Sequence, residues 1–105
     1  MLGERQRALR PDSHQGIRVS GRDHLALIHE LPCAVTYALE RRHEFGVVAH
    51  HPESIRDEWS HYGAIPMTPY WHGELHRLHR RGFVMRTKLT DLDLLSITIK
   101  LLMER

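Results

Sequence analysis

The chain has 105 residues, of which 41% are apolar and 27% are charged, and its formal net charge is +2; this predicts one ordinary globular domain. No apolar run approaches the roughly 20 residues that a membrane-spanning helix needs, so we expect no membrane association. The single cysteine, Cys33, excludes an internal disulfide and a cysteine-based zinc site, and it fits a cytoplasmic protein.

The positive charge is concentrated in two parts of the chain. Residues 1–22 carry five arginines against two acids, and residues 64–90 carry four arginines and one lysine against a single glutamate. The intervening residues 23–63 carry three arginines against seven acids. A basic zone confined to one structural unit is typical of a nucleic-acid-binding site, although a solvated charged surface has the same composition.

The first predicted element after the N-terminal segment is a short helix. Residues 1–19 are arginine-rich and show no hydrophobic period, so we predict a flexible basic arm ahead of one domain over residues 20–105. The spacing of Ser20 and Asp23 is typical of a capping box and predicts a helix over 23–30.

Three further elements are expected before residue 64. Pro32 ends the first helix and suits the opening turn of a second helix, which should run to about Phe45. A short β-branched segment predicts a strand over 47–49. A third helix is predicted over 52–62, and its buried face should consist of apolar residues spaced i, i+4 and i+7: Ile55, Trp59 and Tyr62.

The next predicted helix carries most of the basic zone. Residues 64–67 contain a proline and are interpreted as a turn. Thr68 is a good N-cap and Pro69 a good first helical residue, so we predict a helix over 68–81 that ends before Gly82. Its core-facing residues repeat at i, i+4 and i+7: Trp71, Leu75 and Leu78.

The C-terminal part has two interpretations. Apolar and polar residues alternate over 83–89 and again over 95–101, which predicts a β-hairpin, and the β-branching of the second segment favours a strand. The spacing of Thr90 and Asp93 is also that of a capping box, which would instead begin a helix at Asp91. The hairpin is the preferred interpretation.

The order of these elements predicts an α+β fold of the winged helix-turn-helix type. It has a three-helix core, a small antiparallel sheet and a wing hairpin. The helices over 52–62 and 68–81 would form the helix-turn-helix pair, and the strand over 47–49 would join the hairpin.

Residues 68–84 carry a resemblance to known regulators. Leu75-His-Arg-Leu-His-Arg-Arg-Gly-Phe-Val, together with Thr68-Pro69, is similar to the recognition helix of PadR-type and MarR-type bacterial regulators. The resemblance extends from Pro52 to Lys88. It implies a DNA-binding transcription regulator of bacterial or phage origin. We expect a homodimer, which would match a palindromic site, with residues 23–45 as its dimer surface.

A recognition helix would enter the major groove of duplex DNA and contact base edges with its N-terminal half. We expect ten residues to contact DNA: Thr68, Tyr70, His72, Gly73, His76, Arg77, Arg80, Arg81, Arg86 and Lys88. Arg77 is the strongest single candidate for a guanine or phosphate contact. The basic arm either adds minor-groove contacts or is an inert tail.

Two other functions fit the sequence. The chain could be a protein-interaction module, such as a phage-encoded inhibitor, whose acidic region 23–63 contacts a larger complex. It could also be a metal-sensing regulator, because several of its histidines are close in the predicted fold: His50, His51, His61, His72, His76 and His79. Ten histidines place some pairs together by chance, so we predict no metal and no other cofactor. Without a glycine-rich phosphate loop, a nucleophile elbow or an HExxH motif, we predict no enzymatic activity and no catalytic residue.

Overall fold

The computed structural model describes residues 20–105, so the predicted arm over 1–19 lies outside the described residues. The described residues form α-helices and one two-stranded antiparallel sheet, which confirms the predicted α+β class. The helices are α1 (Gly21–Glu30), α2 (Ala34–Glu40), α3 (Pro69–Thr87) and α4 (Asp91–Glu104). The strands are β1 (Val48–His50) and β2 (Ile65–Met67).

Helix α1 begins and ends close to the predicted residues. The Ser20 hydroxyl accepts a hydrogen bond from the Asp23 amide at 3.1 Å, which satisfies one of the free N–H groups of the first turn. The helix ends at Leu31, whose backbone is extended because a residue before proline avoids the helical region.

Helix α2 is shorter than predicted. Instead of continuing to about Phe45, it ends at Arg41 in a left-handed conformation. The chain then turns back, so that the Glu44 carbonyl accepts a hydrogen bond from the Cys33 amide at 2.8 Å and the Glu44 carboxylate accepts one from the Thr36 hydroxyl at 2.8 Å. These contacts with the start of the helix replace the additional turn that the apolar spacing predicted.

The sheet pairs β1 with a strand that the sequence did not predict. Strand β1 lies within one residue of its predicted place, and Val48 is opposite Met67 while His50 is opposite Ile65. The prediction of a turn over 64–67 is wrong, because Pro66 occupies a strand position opposite Ala49. In a two-stranded sheet each strand has one open edge, where the missing N–H of proline costs no ladder hydrogen bond.

The predicted helix over 52–62 is also wrong. Only a 3-10 turn, Asp57–Trp59, forms in this segment. Arg56 is extended and Asp57 has a positive φ of 56°, so the backbone cannot continue as an α-helix between them. Trp59 is 62% exposed, and the expected buried face of this segment is therefore absent.

Helix α3 replaces the first predicted strand of the hairpin. It continues beyond the predicted end at residue 81 to Thr87, with one non-helical residue, His79. Phe83 and Thr87 are both buried one turn apart, and the Thr87 hydroxyl donates to the Phe83 carbonyl at 2.8 Å. Lys88 has a left-handed backbone and ends the helix.

Helix α4 replaces the second predicted strand, so the capping-box interpretation is the correct one. The Thr90 hydroxyl accepts from the Asp93 amide at 3.1 Å, and the Asp93 carboxylate accepts from the Thr90 amide at 2.9 Å. Leu94, Thr98 and Leu101 form the buried face at helical spacing. Because residues 83–101 are helical apart from a short connection, the predicted wing hairpin does not exist.

The core consists of two adjoining clusters. The larger cluster packs the start of α2, the sheet, α3 and α4 around Phe83 and Leu94. The smaller one packs α1 against α4 through Ile28 and Leu101. Half-buried Ile97 contacts both clusters, so α4 joins the two parts of the core. This packing leaves one side of α3 exposed, and that side holds most of the predicted site.

Candidate nucleic-acid interface

Helix α3 begins with a cap that is itself buried. The Thr68 hydroxyl accepts a hydrogen bond from the Trp71 amide at 3.4 Å, and the Thr68 amide donates to the Cys33 sulfur at 3.4 Å. Thr68 is only 6% exposed. Its contacts therefore stabilise the helix and connect it to α2, and the side chain does not reach the surface where it was predicted to contact DNA.

The first half of α3, up to Leu78, has the two faces that its sequence predicted. Trp71 and Leu75 are buried, and Leu78 packs partly buried against the larger cluster. The opposite side of this half exposes four of the predicted contact residues, and two more exposed ones follow His79 directly: Tyr70, Gly73, His76 and Arg77, then Arg80 and Arg81. His72 is half-buried at the edge of this side. We call this exposed set the α3 face.

His79 divides α3 into two halves. Its φ of 63° and ψ of 171° lie in a region that glycine adopts readily and other residues rarely do. Arg86 and Lys88 belong to the second half, beyond this interruption, and Lys88 lies at its C-terminal end. The structure therefore does not place these two cations on a β-strand beneath a wing, as the sequence predicted.

Glu74 forms ion pairs with two of the arginines that were predicted to contact DNA. Arg77 forms a two-pronged ion pair with it, with Nη2 2.7 Å from Oε1 and Nε 3.1 Å from Oε2. Arg86 contacts the same carboxylate through Nη1. The hydrogen bond from Arg77 and the neighbouring positive charges hold the pKa of Glu74 below its ordinary value. This role of Glu74 was not predicted, although its i, i+3 spacing to Arg77 was a usable signal.

Arg86 is tied to the helix by more than this ion pair. Its Nη2 donates to the Tyr70 hydroxyl at 3.3 Å, and its guanidinium lies 5.1 Å from the centre of the Trp71 ring. This is a cation–π arrangement, which holds the second half of α3 against the first. Arg86 therefore has a structural explanation that does not require DNA.

The other cations that were predicted to contact DNA differ in whether they form an ion pair with an acidic side chain. Arg80 forms an ion pair with Asp91 at 3.4 Å, which links α3 to the start of α4. Among residues 20–105, Arg81 and Lys88 take part in no ion pair. Arg81 is thus the cation of the α3 face that is most available to an external anion, whereas the sequence favoured Arg77.

Five histidine rings meet beside the α3 face, and we call them the histidine group: His50, His51, His61, His72 and His76. The ring centres of His50 and His72 are 5.3 Å apart, and those of His72 and His76 are 4.5 Å apart. His51 and His61 form a second close pair, with Nε2 of His51 3.3 Å from Nδ1 of His61. Strand β1 brings His50 to α3, and the segment between β1 and β2 brings His51 and His61.

Burial keeps part of the histidine group neutral. Desolvation, followed by the proximity of His72, lowers the pKa of His50 to about 4. Desolvation and the neighbouring His76 also lower the pKa of His72. At neutral pH these two rings therefore act as hydrogen-bonding or ligating groups and add no positive charge to the surface.

A cleft of about 320 Å³ lies next to the histidine group. Its lining combines three histidines, two acids, one arginine and two apolar residues: His50, Pro52, Glu53, Leu75, His76, His79, Arg80 and Asp91. The described side chains contain no group of three or more histidine, cysteine, aspartate or glutamate residues arranged to hold a metal ion.

No protein-family model, no curated protein sequence and no solved structure matches the chain. In residues 20–105, every helix is too short or too polar to span a bilayer.

Proposed function

We propose that the α3 face binds double-stranded DNA and that the chain is a small transcription regulator. The observation that carries this proposal is the division of α3 into a buried apolar side and an exposed side rich in arginine and histidine. The surrounding residues 64–90 have a net charge of +4. Because a duplex is a polyanion, a polar helical face with this charge has the chemistry to bind it.

The dimensions of the first half of α3 suit the major groove. From Pro69 to Leu78 the helix is about 15 Å long, and the groove admits one α-helix. A β-carbon at Gly73 would have no other atom within 4 Å, so packing does not require glycine there. A glycine on an exposed helical face lets a phosphate or a base edge approach the backbone closely.

The ion pairs on this face do not prevent DNA binding. The arginine side chains of these pairs are more than half exposed, 62% for Arg77 and 57% for Arg80, so phosphates can reach them and replace Glu74 or Asp91 as partners. Arg81 needs no such exchange. With Arg77, Arg80 and Arg81 as the phosphate contacts, the logarithm of the affinity should fall with the logarithm of the salt concentration with a slope of about −3.

The likeness to winged helix-turn-helix regulators supports this proposal through residues 68–84 alone. The helix over 52–62 and the hairpin over 83–101 that would complete that architecture are not formed. In our proposal α3 therefore contacts the duplex without a wing. A cytoplasmic homodimer would give such a short contact surface a second half-site on a palindromic sequence.

Fluorescence anisotropy with a labelled random-sequence 30-base-pair duplex tests the proposal at 50 and 200 mM salt. We expect binding at 50 mM salt, and we expect Arg81→Ala to weaken it severalfold and to make the salt slope shallower by about 1. The matched control is Arg42→Ala, which removes an exposed arginine from the segment after α2 and should leave affinity unchanged. Absence of binding at 50 mM salt would refute the proposal.

A charge-neutralising variant provides a second test. Glu74→Gln removes the carboxylate that holds Arg77 and Arg86, and it removes a negative charge from the α3 face. We expect this variant to bind the duplex more tightly than the natural protein. A variant with weaker binding would show that Glu74 is needed to position the face and that its arginines do not act as free phosphate ligands.

A second candidate function, protein docking through the acidic region 23–63, is favoured by one observation. Within this region four large apolar side chains are more than two-fifths exposed: Leu39, Phe45, Trp59 and Tyr62. Exposed apolar residues of this size are typical of protein-interaction surfaces when they are contiguous. The simplest partner is a second copy of this chain. Sedimentation of the natural protein, compared with sedimentation of the Phe45→Ser variant, tests this homodimer. If the natural protein is a monomer at all concentrations, the partner is a different protein.

A further inference from the structure

The closest approach of two ring nitrogens on α3 is between His72 and His76. Their Nε2 atoms are 3.3 Å apart, and the rings are inclined by 75°. Two imidazole nitrogens that bind one tetrahedral ion at about 2.0–2.1 Å lie about 3.3 Å from each other. The separation of this pair is therefore that of two ligands on a single metal ion.

We propose that His72 and His76 form a chelating site for a late first-row transition-metal ion such as Zn²⁺, Ni²⁺ or Cu²⁺. The i, i+4 spacing on a regular helical segment sets the relative position of the two rings, since residues at this spacing lie on the same side of a helix. Neutral imidazole suits these ions, whereas Mg²⁺ and Ca²⁺ prefer oxygen ligands.

The surroundings of the pair favour an open, exchangeable site. His76 is exposed and His72 is half-buried, so an ion and its water molecules have access from solvent. Since the described side chains include no group of three or more that encloses an ion, water completes the coordination. This is a different arrangement from a closed structural zinc site, which uses four protein ligands.

The neighbouring pair, His51 and His61, has the same 3.3 Å separation of nitrogens and is the natural competitor. Its two residues lie outside regular helix and strand, on the segment between β1 and β2. The helical pair is the better pre-organised of the two, because the backbone hydrogen bonds of α3 hold both of its residues. Pre-organised ligands lose less conformational freedom on binding.

The test is calorimetric titration of Zn²⁺, and separately of Ni²⁺, into the untagged full chain after treatment with a chelator. It contains no nucleic acid, so its outcome is independent of the proposed DNA binding. We expect about one equivalent to bind at micromolar concentrations and Mg²⁺ not to bind. Both ions should raise the Tm of the natural protein.

Variants assign the binding to the helical pair. His76→Ala should weaken binding by at least about tenfold and abolish the rise in Tm, and its exposed position leaves the core unchanged. His43→Ala is the matched control, because it removes an exposed histidine that stacks on Phe45 and should leave the affinity unchanged.

Two outcomes overturn the proposal. If His51→Ala and not His76→Ala removes the binding, the ion belongs to the competing pair. If neither ion binds below millimolar concentration, the short distance between the rings of α3 reflects a hydrogen bond between one protonated and one unprotonated nitrogen. Circular dichroism of each variant, compared with the natural protein, shows that a loss of binding does not come from unfolding.

Discussion

Gly73 offers a substitution whose effects on stability and on DNA binding should have opposite signs. The residue lies inside the first half of α3, and an added β-carbon would meet no other atom within 4 Å. Glycine inside a helix costs about 0.5–1 kcal/mol relative to alanine, because it loses more conformational freedom on folding. Since no neighbour must move, Gly73→Ala should raise the free energy of unfolding by this whole amount. For a domain of this size the Tm should rise by about 2–8 °C.

Two other glycines supply matched controls. A β-carbon at Gly82 would lie 3.2 Å from the Leu78 β-carbon, so Gly82→Ala should bring a smaller gain. A β-carbon at Gly63 would overlap the Ile55 side chain, whose γ2 and β carbons lie 3.0 and 3.3 Å from it, so Gly63→Ala should lower stability. Urea unfolding followed by circular dichroism measures all three. A Gly73→Ala protein less stable than the natural one would refute our account of an open α3 face.

The same variant tests the interface. If base edges or phosphates approach the backbone at Gly73, an added methyl group should weaken duplex binding by about threefold or more, although the protein is more stable. Anisotropy with the same 30-base-pair duplex provides the measurement. Unchanged affinity in the stabilised variant would remove Gly73 from the interface.

Three further substitutions test individual features of the fold. Thr90→Ala removes the capping box of α4 and should lower the free energy of unfolding by about 0.5–2 kcal/mol; no loss on urea unfolding would mean that packing alone begins the helix. His79→Gly places glycine at a φ of 63° and should raise the free energy of unfolding by about 1 kcal/mol, whereas a decrease would show that the His79 side chain stabilises the interruption. His50 has a pKa of about 4 in the folded chain against 6.5 when exposed, so the unfolded chain binds the proton first. The contribution of His50 to the free energy of unfolding should therefore be complete above pH 6.5 and be lost as the pH falls towards 4, by about 1–2 kcal/mol after solvent screening. If the pH dependence is the same in His50→Gln, this explanation is wrong.

Local signals in the sequence predicted the helices that carry them. The caps at Ser20 and Thr68 were recognised from residue type and spacing, and both accept the expected hydrogen bonds. The i, i+4 spacing of Trp71 and Leu75 predicted the buried side of α3, and both residues are buried. These features depend on neighbours within a few residues, so a single sequence contains what is needed to predict them.

The C-terminal part shows where an ambiguous pattern was decided by packing. Residues 95–101 alternate like a strand, but Thr98 and Leu101 are buried together on α4 and Ile99 is exposed. The Thr98 hydroxyl donates to the Leu94 carbonyl, which accommodates a buried β-branched polar residue in a helix. The capping box at Thr90 correctly indicated a helix, whereas the alternating pattern indicated a strand. Only the packing of α4 in the core shows which of the two signals applies.

Between β1 and α3, the sequence predicted a helix and a turn that do not form. The apolar spacing of Ile55 and Trp59 predicted a helix, but Trp59 finds no place in the core and is exposed. Pro66 indicated a turn, but Ile65 and Met67 on either side of it are fully buried, and β1 supplies a partner strand. Whether these short segments form depends on contacts with residues far along the chain, which the local sequence does not contain.

The sequence by itself determined the α+β class, the start of α3, the two-sided character of its first half, and the concentration of positive charge around it. These follow from composition, caps and helical spacing, which act over short distances. Only the tertiary structure decided that Glu74 and Asp91 hold three of the arginines, that Arg81 is left available, and that histidines from three segments meet beside α3. Side chains far apart in sequence become partners only when β1 and β2 pair and α4 joins the core, so the chemistry of the site is a consequence of long-range packing.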